Sequence, residues 1–185
     1  MKKLLIGSFV GAILLFGWQA ISWTVAGVHD NAHKYVASQD SIINYLTSHL
    51  PEEGEYIVPR SNPQLAKEEQ MKEMEAMMSR PWALISFHPF FESNMGKTMA
   101  IGLINCFVCV LLACLVIRKF DIRYKKFFSL FTSVLTFGVI SFLFVWYNQH
   151  NWFQTTWNVL WGELVDDFVG WGLVGVWLAW WYGRK

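Results

Sequence analysis

Residues 98–126 read TMAIGLINCFVCVLLACLVI and then RKFDIRYKK, and these two adjoining segments decide the fold. The first segment has 20 residues without a charged side chain. A helix of that length, rising ~1.5 Å per residue, covers the ~30 Å hydrocarbon core of a bilayer. The nine residues that follow include five Lys or Arg, a pattern typical of the cytoplasmic flank of a membrane span. Together the segments predict one span and its direction.

Three more uncharged stretches indicate that the chain crosses the membrane four times. Leu4–Val28, Phe127–Tyr147 and Phe168–Gly183 have 25, 21 and 16 residues. Because the last is too short to span alone, we expect its helix to begin at Trp157, with three carboxylates in the headgroup layer: Glu163, Asp166 and Asp167. The sequence therefore predicts an α-helical integral membrane protein with four transmembrane helices and a small α+β extracytoplasmic unit between helices 1 and 2. The predicted segments are 1–28 (span 1), 29–97 (α+β unit), 98–117 (span 2), 118–126 (basic loop), 127–147 (span 3), 148–156 (interfacial loop) and 157–183 (span 4).

The composition agrees with a membrane protein and excludes several other classes. The chain has 185 residues, of which 54% are hydrophobic, 17% aromatic and 16% charged. An ordinary soluble domain has about 25% charged residues. The low charge excludes a disordered protein and a nucleic-acid binder, so no nucleic-acid partner is expected.

The distribution of charge predicts the orientation. With Lys2, Lys3, the loop 118–126, Arg184 and Lys185 on one side, that side has nine basic residues and one acidic residue, a net of +8. The other side has six basic and thirteen acidic residues, a net of −7. Because basic flanks stay in the cytoplasm, we expect a multi-pass protein of the bacterial inner membrane with both termini cytoplasmic. The first span, at 25 residues, exceeds the ~7–15 of a signal peptide and predicts an uncleaved anchor.

Residues 29–97 are predicted to form two helices and two short strands. Asp40 or the serine before it is expected to cap a helix that ends near Leu50, ahead of Pro51. A strand is predicted at 55–59, a second helix from Asn62 to about residue 79, and a second strand at 82–88.

Two histidines directly after the first span suggest metal chemistry. In the sequence His29-Asp30-Asn31-Ala32-His33 the imidazoles lie four residues apart and would share a face if the helix continued. The spacing is similar to the His-Glu-x-x-His motif of zinc metallopeptidases, in which Glu is the general base; here Asp30 is one methylene shorter. The alternatives are a zinc hydrolase, a structural metal site and a solvated polar helix end.

A repeated methionine pattern suggests either a soft-metal site or a docking stripe. Met71, Met74 and Met77 recur every three residues on the second predicted helix of the α+β unit. Thioethers suit Cu(I), and His88 could join them, as could the pair His29 and His33. Charged residues fill the rest of the helix, so the alternative is a core or partner-docking stripe.

The spans themselves contain few groups capable of chemistry. None has a charged residue near its middle, which argues against a proton- or ion-coupled transporter. The strongly polar side chains within them are Asn105 and Gln19. Cys106 and Cys109 have the spacing of a redox pair, but an uncharged span favours inert packed thiols. Gly7 and the other small residues of span 1 favour close helix contact, within the chain or between copies.

Four segments contain distinctive packing and turn residues: Met1–Trp23 (with Gly7, Gly11 and Trp18-x-x-x-x-Trp23), Gly54-Glu55-Tyr56, Pro81-Trp82-Ala83 and Gly170–Gly175. Together they resemble a group of small bacterial inner-membrane proteins that have no assigned activity. The resemblance implies a topology but no catalytic residue.

The sequence thus favours a non-enzymatic membrane accessory or interaction protein, with membrane lipid, another membrane protein or a second copy as partner. The alternative is an extracytoplasmic protein that binds copper or zinc. Its candidate metal ligands are His29, His33, His88, Met71, Met74 and Met77.

Overall fold

The computed structural model describes residues 1–91, 94–119 and 126–183. Most of the predicted basic loop 118–126 and the C-terminal pair Arg184 and Lys185 lie outside these residues. The chain forms two compact units, which we call the helical bundle (residues 1–34 and 94–185) and the α+β unit (residues 35–93). The structure is 71% helical. In chain order the elements are α1 (Lys2–Thr24), α2 (Gln39–His49), β1 (Gly54–Val58), α3 (Lys67–Met77), β2 (Ala83–Phe87), α4 (Met95–Lys119), α5 (Phe127–Ser141), a π-helical segment (Phe142–Tyr147), α6 (Asn148–Phe153) and α7 (Trp157–Gly183).

Three helices among the described residues are long and apolar enough to cross a membrane. They are Lys2–Thr24, Met95–Lys119 and the continuous helical stretch Phe127–Phe153. The protein is therefore a membrane protein by the length and composition of its helices. The fourth long helix, α7, has 27 residues and contains three carboxylates, Glu163, Asp166 and Asp167.

Two helix ends differ from the sequence prediction. The first span was expected to reach Val28, but α1 ends at Thr24 because Val25 leaves helical geometry and Gly27 has a φ of +63°. Residues 148–156 were expected to be a loop, but α6 continues the preceding helix to Phe153 and ends where Gln154 adopts a left-handed conformation, φ 51°. The helical stretch that contains α5 is therefore longer than predicted.

Glycines allow the helices of the bundle to approach closely. Helix α7 packs against α1 and α5, and α1 also packs against α4. A Cβ atom at Gly11 would lie 2.7 Å from the Val110 side chain, and one at Gly138 would lie 2.6 Å from the backbone oxygen of Asp167. The small-residue face of α1 therefore serves contacts within the chain. Fully buried Ala12, Val110, Leu130, Val174 and Leu178 form the centre of the core.

The α+β unit contains the two predicted strands as an antiparallel pair, with Gly54 opposite Phe87. Its second helix begins at Lys67, five residues after the predicted cap Asn62. The reason is a local turn: the Asn62 side chain accepts a hydrogen bond from the Gln64 backbone N–H at 3.0 Å. Among the described residues of this unit, Phe87 is the one buried hydrophobic side chain.

Candidate functional site

A buried ion pair joins the segment after α1 to helix α7. His29 and Asp166 are only 7% and 8% exposed, and Nε2 of the imidazole lies 3.0 Å from Oδ2 of the carboxylate. Because a carboxylate can only accept, Nε2 is the donor. Asp166 also accepts a hydrogen bond from the Trp18 indole N–H at 3.0 Å. One carboxylate of α7 thus binds two donors from the N-terminal part of the chain.

Two further contacts hold the His29 ring in place. Trp23 stacks on it with a centroid distance of 3.9 Å and an interplanar angle of 10°. On α7, a Cβ atom at Gly162 would lie 2.6 Å from Nδ1 of His29, so the ring needs a glycine at that position. This nitrogen is buried and has no hydrogen-bond partner in the described parts of the chain. The ring is therefore held by one carboxylate, one indole and one glycine.

Beside this ion pair lies a cavity of about 660 Å³, which we call the carboxylate cavity. Glu163, Asp166 and Asp167 lie on one face of α7 because they are three and four residues apart. Helices α1, α4 and α7 contribute to its wall, together with Ser141 and the π-helical segment. The lining residues are Leu15, Gln19, Trp23, Gly102, Asn105, Cys106, Cys109, Ser141, Val145, Trp146, Glu163, Asp166, Asp167 and Trp171.

The polar side chains of the cavity are partly paired with one another. Oδ2 of Asp167 is buried without a hydrogen-bond partner in the part of the chain that is described. The thiol of Cys106 lies 3.5 Å from the amide oxygen Oε1 of Gln19. Such polar groups within a helical bundle in lipid mark a functional site by default, because their burial is costly.

The wall that faces the carboxylates includes a departure from regular helix. The π-helical segment Phe142–Tyr147 follows Ser141 directly and places Val145 and Trp146 in the lining. Single π-helical turns inside α-helices are frequent at functional sites, because the extra residue per turn shifts the register of the side chains that follow. Here the shift begins where the helix reaches the cavity.

The predicted metal ligands fall into different surroundings. His29 belongs to the bundle and is committed to Asp166, whereas His33 is exposed, its ring centroid 6.4 Å from that of Trp23. Residues 28–33 form turns, so the two imidazoles do not share a helical face, and the geometry of a His-x-x-x-His zinc motif is lost. Within residues 1–91, 94–119 and 126–183, no group of three or more His, Cys, Asp or Glu side chains is arranged to hold a metal ion.

The remaining predicted ligands belong to the α+β unit. Nδ1 of His88 lies 2.7 Å from Oε1 of Glu53 in an exposed ion pair. Met71 and Met74 are 63% and 57% exposed on α3, and Met77 is half-buried. The copper or zinc site therefore stays a prediction, with its thioethers at the surface and two of its imidazoles already paired.

The three α7 carboxylates are the site residues that sequence reasoning missed. The sequence assigned them to the headgroup layer as an acidic turn. Two signals were present: their spacing places them on one helix face, and Gln19 and Asn105 stood out as polar residues within apolar spans. The sequence does not show which of those helices pack against one another. No known protein family, curated protein or solved structure matches this chain.

Proposed function

We propose that the chain is a four-span protein of the bacterial inner membrane with both termini in the cytoplasm. Three helices that could cross a membrane support this, together with α7, whose 27 residues exceed the ~20 that a bilayer requires. Four crossings return the chain to the side on which it began. The net charges of +8 and −7 on the two sides, counted from the sequence, favour this orientation.

Within that membrane the protein acts as a non-enzymatic accessory protein that holds a partner protein through its α+β unit. The observation that supports this function is the burial pattern of the unit: neither α2 nor α3 has a buried residue. Ile42, Ile43 and Tyr45 of α2 are 47%, 49% and 64% exposed. Clustered apolar side chains at a surface favour a protein contact.

The charge of the α+β unit indicates the chemistry of that partner. Residues 35–93 contain nine acidic and four basic side chains, a net of −5. An anionic unit is repelled by the anionic lipids of a membrane surface and attracted by a basic protein surface. The partner is therefore expected to present apolar side chains bordered by Lys or Arg.

Site-specific photo-crosslinking in intact membranes tests this function. A benzophenone side chain at Tyr45 or Met74 is expected to give one protein adduct of defined mass. The matched control positions are Asn44 and Glu69, exposed polar residues of the same helices, where no adduct is expected. Adducts with lipid alone, or equal adducts at all four positions, would contradict the proposal.

The second function is copper or zinc binding, favoured by the exposed thioethers of Met71 and Met74. Sulfur atoms at a surface can still take a soft metal such as Cu(I). The test is elemental analysis of protein purified without added metal. Stoichiometric copper that is lost in a Met71→Leu/Met74→Leu variant supports this function, and unchanged metal content in that variant excludes these two ligands.

A further inference from the structure

We propose that the carboxylate cavity binds an organic ammonium group, either that of a soluble amine or that of an amine-bearing lipid headgroup. The inference concerns the helical bundle and does not depend on the partner of the α+β unit. It depends on three observations: the charge of the lining, an unpartnered buried oxygen, and the size and aromatic character of the walls.

The cavity has an excess of negative groups. Glu163, Asp166 and Asp167 line it, and no Lys or Arg occurs among the described residues of its wall. The imidazole of His29 already pairs with Asp166. Carboxylates withdrawn from water are stable only when a counter-charge and hydrogen-bond donors accompany them. The lining residues supply too little positive charge and too few hydrogen-bond donors for three carboxylates.

One oxygen atom in this cluster is left without a donor. Oδ2 of Asp167 is buried and unpartnered within the described residues. A buried acceptor without a hydrogen bond is costly, so it indicates a donor that is part of the working protein. An ammonium group offers such donors together with the missing positive charge.

The dimensions and walls of the cavity favour an organic cation over a bare metal ion. A volume of about 660 Å³ is in the range of small-molecule sites, ~300–1,000 Å³, and far exceeds the space that one ion needs. Trp23, Trp146 and Trp171 contribute aromatic surface, which attracts ammonium groups through the π-electrons of the ring. The amide oxygens of Gln19 and Asn105 are further acceptors for N–H groups.

The main experiment compares two probes that differ by one charged group. The full-length protein is placed in phosphatidylglycerol nanodiscs, which contain no amine, and its Tm is measured with phenethylammonium or with 2-phenylethanol. We expect phenethylammonium to raise the Tm by about 3 °C or more, since a ligand that binds the folded state stabilises it. The alcohol is expected to have no specific effect. Equal shifts with both probes would overturn the proposal.

Two variants locate the effect. Glu163→Gln combined with Asp167→Asn is expected to abolish the shift with phenethylammonium. The control Asp30→Asn removes an exposed carboxylate outside the lining and is expected to keep the full shift. A shift that persists in the double variant would show that the cation binds elsewhere and would overturn the assignment. If the double variant does not fold, the wild-type comparison of ammonium and alcohol still decides.

Cys106 provides a second readout within the cavity. In a Cys109→Ser/Cys114→Ser background, phenethylammonium is expected to slow the modification of Cys106 by N-ethylmaleimide about fivefold, whereas 2-phenylethanol is not. Replacing phosphatidylglycerol by phosphatidylethanolamine distinguishes the two sources. Protection by that lipid without added amine identifies a headgroup ligand, and protection by the soluble amine alone identifies a free ligand. No protection in either case, with no Tm shift, would overturn the proposal.

Discussion

The helical bundle and the α+β unit use their apolar residues in opposite ways. Of the 18 buried hydrophobic residues in the described part of the chain, 17 belong to the bundle and one, Phe87, to the α+β unit. The bundle packs helices so closely that several glycines cannot accept a Cβ atom. The α+β unit keeps its apolar side chains at its surface. The bundle therefore uses its apolar residues for contacts within the chain, whereas those of the α+β unit remain accessible for the partner proposed above.

The ion pairs of the two regions differ in the same way: the pair in the bundle is buried, and the pair in the α+β unit is exposed. In the bundle, His29 meets Asp166 across 137 residues of sequence, and both side chains are buried. In the α+β unit, the ion pair between His88 and Glu53 is exposed. A buried pair fixes tertiary structure, whereas an exposed pair contributes little to stability. Four substitutions test this contrast between the two regions.

The largest effect is expected from truncating a core side chain of the bundle. Leu130 is fully buried, and Leu130→Ala should lower the free energy of unfolding by about 2–5 kcal/mol because it leaves a cavity. The matched substitution in the α+β unit, Met74→Ala, should change it by less than about 0.5 kcal/mol. The measurement is denaturant unfolding in nanodiscs. Similar losses for the two variants would abolish the distinction between the regions.

The second effect tests the buried ion pair. Asp166→Ala removes the acceptor of two donors, His29 and Trp18, and should cost about 3 kcal/mol because both donors stay buried. The control Asp30→Ala removes an exposed carboxylate near the same end of the bundle and should be close to neutral. Combining Asp166→Ala with His29→Ala should cost less than the sum of the single substitutions. Strict additivity would mean that the two side chains are not coupled.

The third effect tests the space that the imidazole occupies. Gly162→Ala places a methyl group 2.6 Å from Nδ1 of His29 and should cost about 1–3 kcal/mol through overpacking. Gly172→Ala is the control on the same helix, since nothing lies within 4 Å of its Cβ position. Thermal unfolding of both variants in nanodiscs gives the comparison. A neutral Gly162→Ala would show that the ring can leave its position without loss.

The smallest effect is expected at the exposed ion pair of the α+β unit. Glu53→Gln should change stability by less than about 0.5 kcal/mol, since solvent and salt screen its attraction to His88. Hydrogen exchange of the strand residues Gly54–Val58 is the measurement. Marked deprotection of these amides would mean that this pair holds the small sheet together.

The positions of the long helices could be predicted from the sequence because long stretches without charged residues mark them. The helices α1, α4 and α7 lie within a few residues of three predicted segments, and the helical stretch Phe127–Phe153 extends beyond the fourth, 127–147. The ends that differ are set by single backbone conformations, such as the positive φ of Gly27, which periodicity does not reveal. Helix α3 likewise begins late because the side chain of Asn62 stabilises a turn instead of capping a helix.

The site could not be predicted, because it is made by contacts between distant segments. The sequence suggests His29 as a metal ligand together with His33 only as an alternative, and in the structure His29 packs against Gly162 and Asp166. The spacing of His29 and His33 suggests a partner nearby in the sequence, whereas in the folded chain His29 contacts helix α7. The same holds for Gln19, which the sequence marked as an isolated polar residue and which lies beside Cys106.

The ion pair between His29 and Asp166 has a consequence for the order of assembly. The two residues are separated by 137 positions, and a ribosome adding ~5–20 residues per second needs roughly 7–30 s to bridge them. During that interval α1 has already been synthesised, but Asp166 and Gly162, which contact the His29 ring in the folded protein, have not. Docking of the imidazole is therefore a late event in biosynthesis, which marks the moment when the last helix has joined the first.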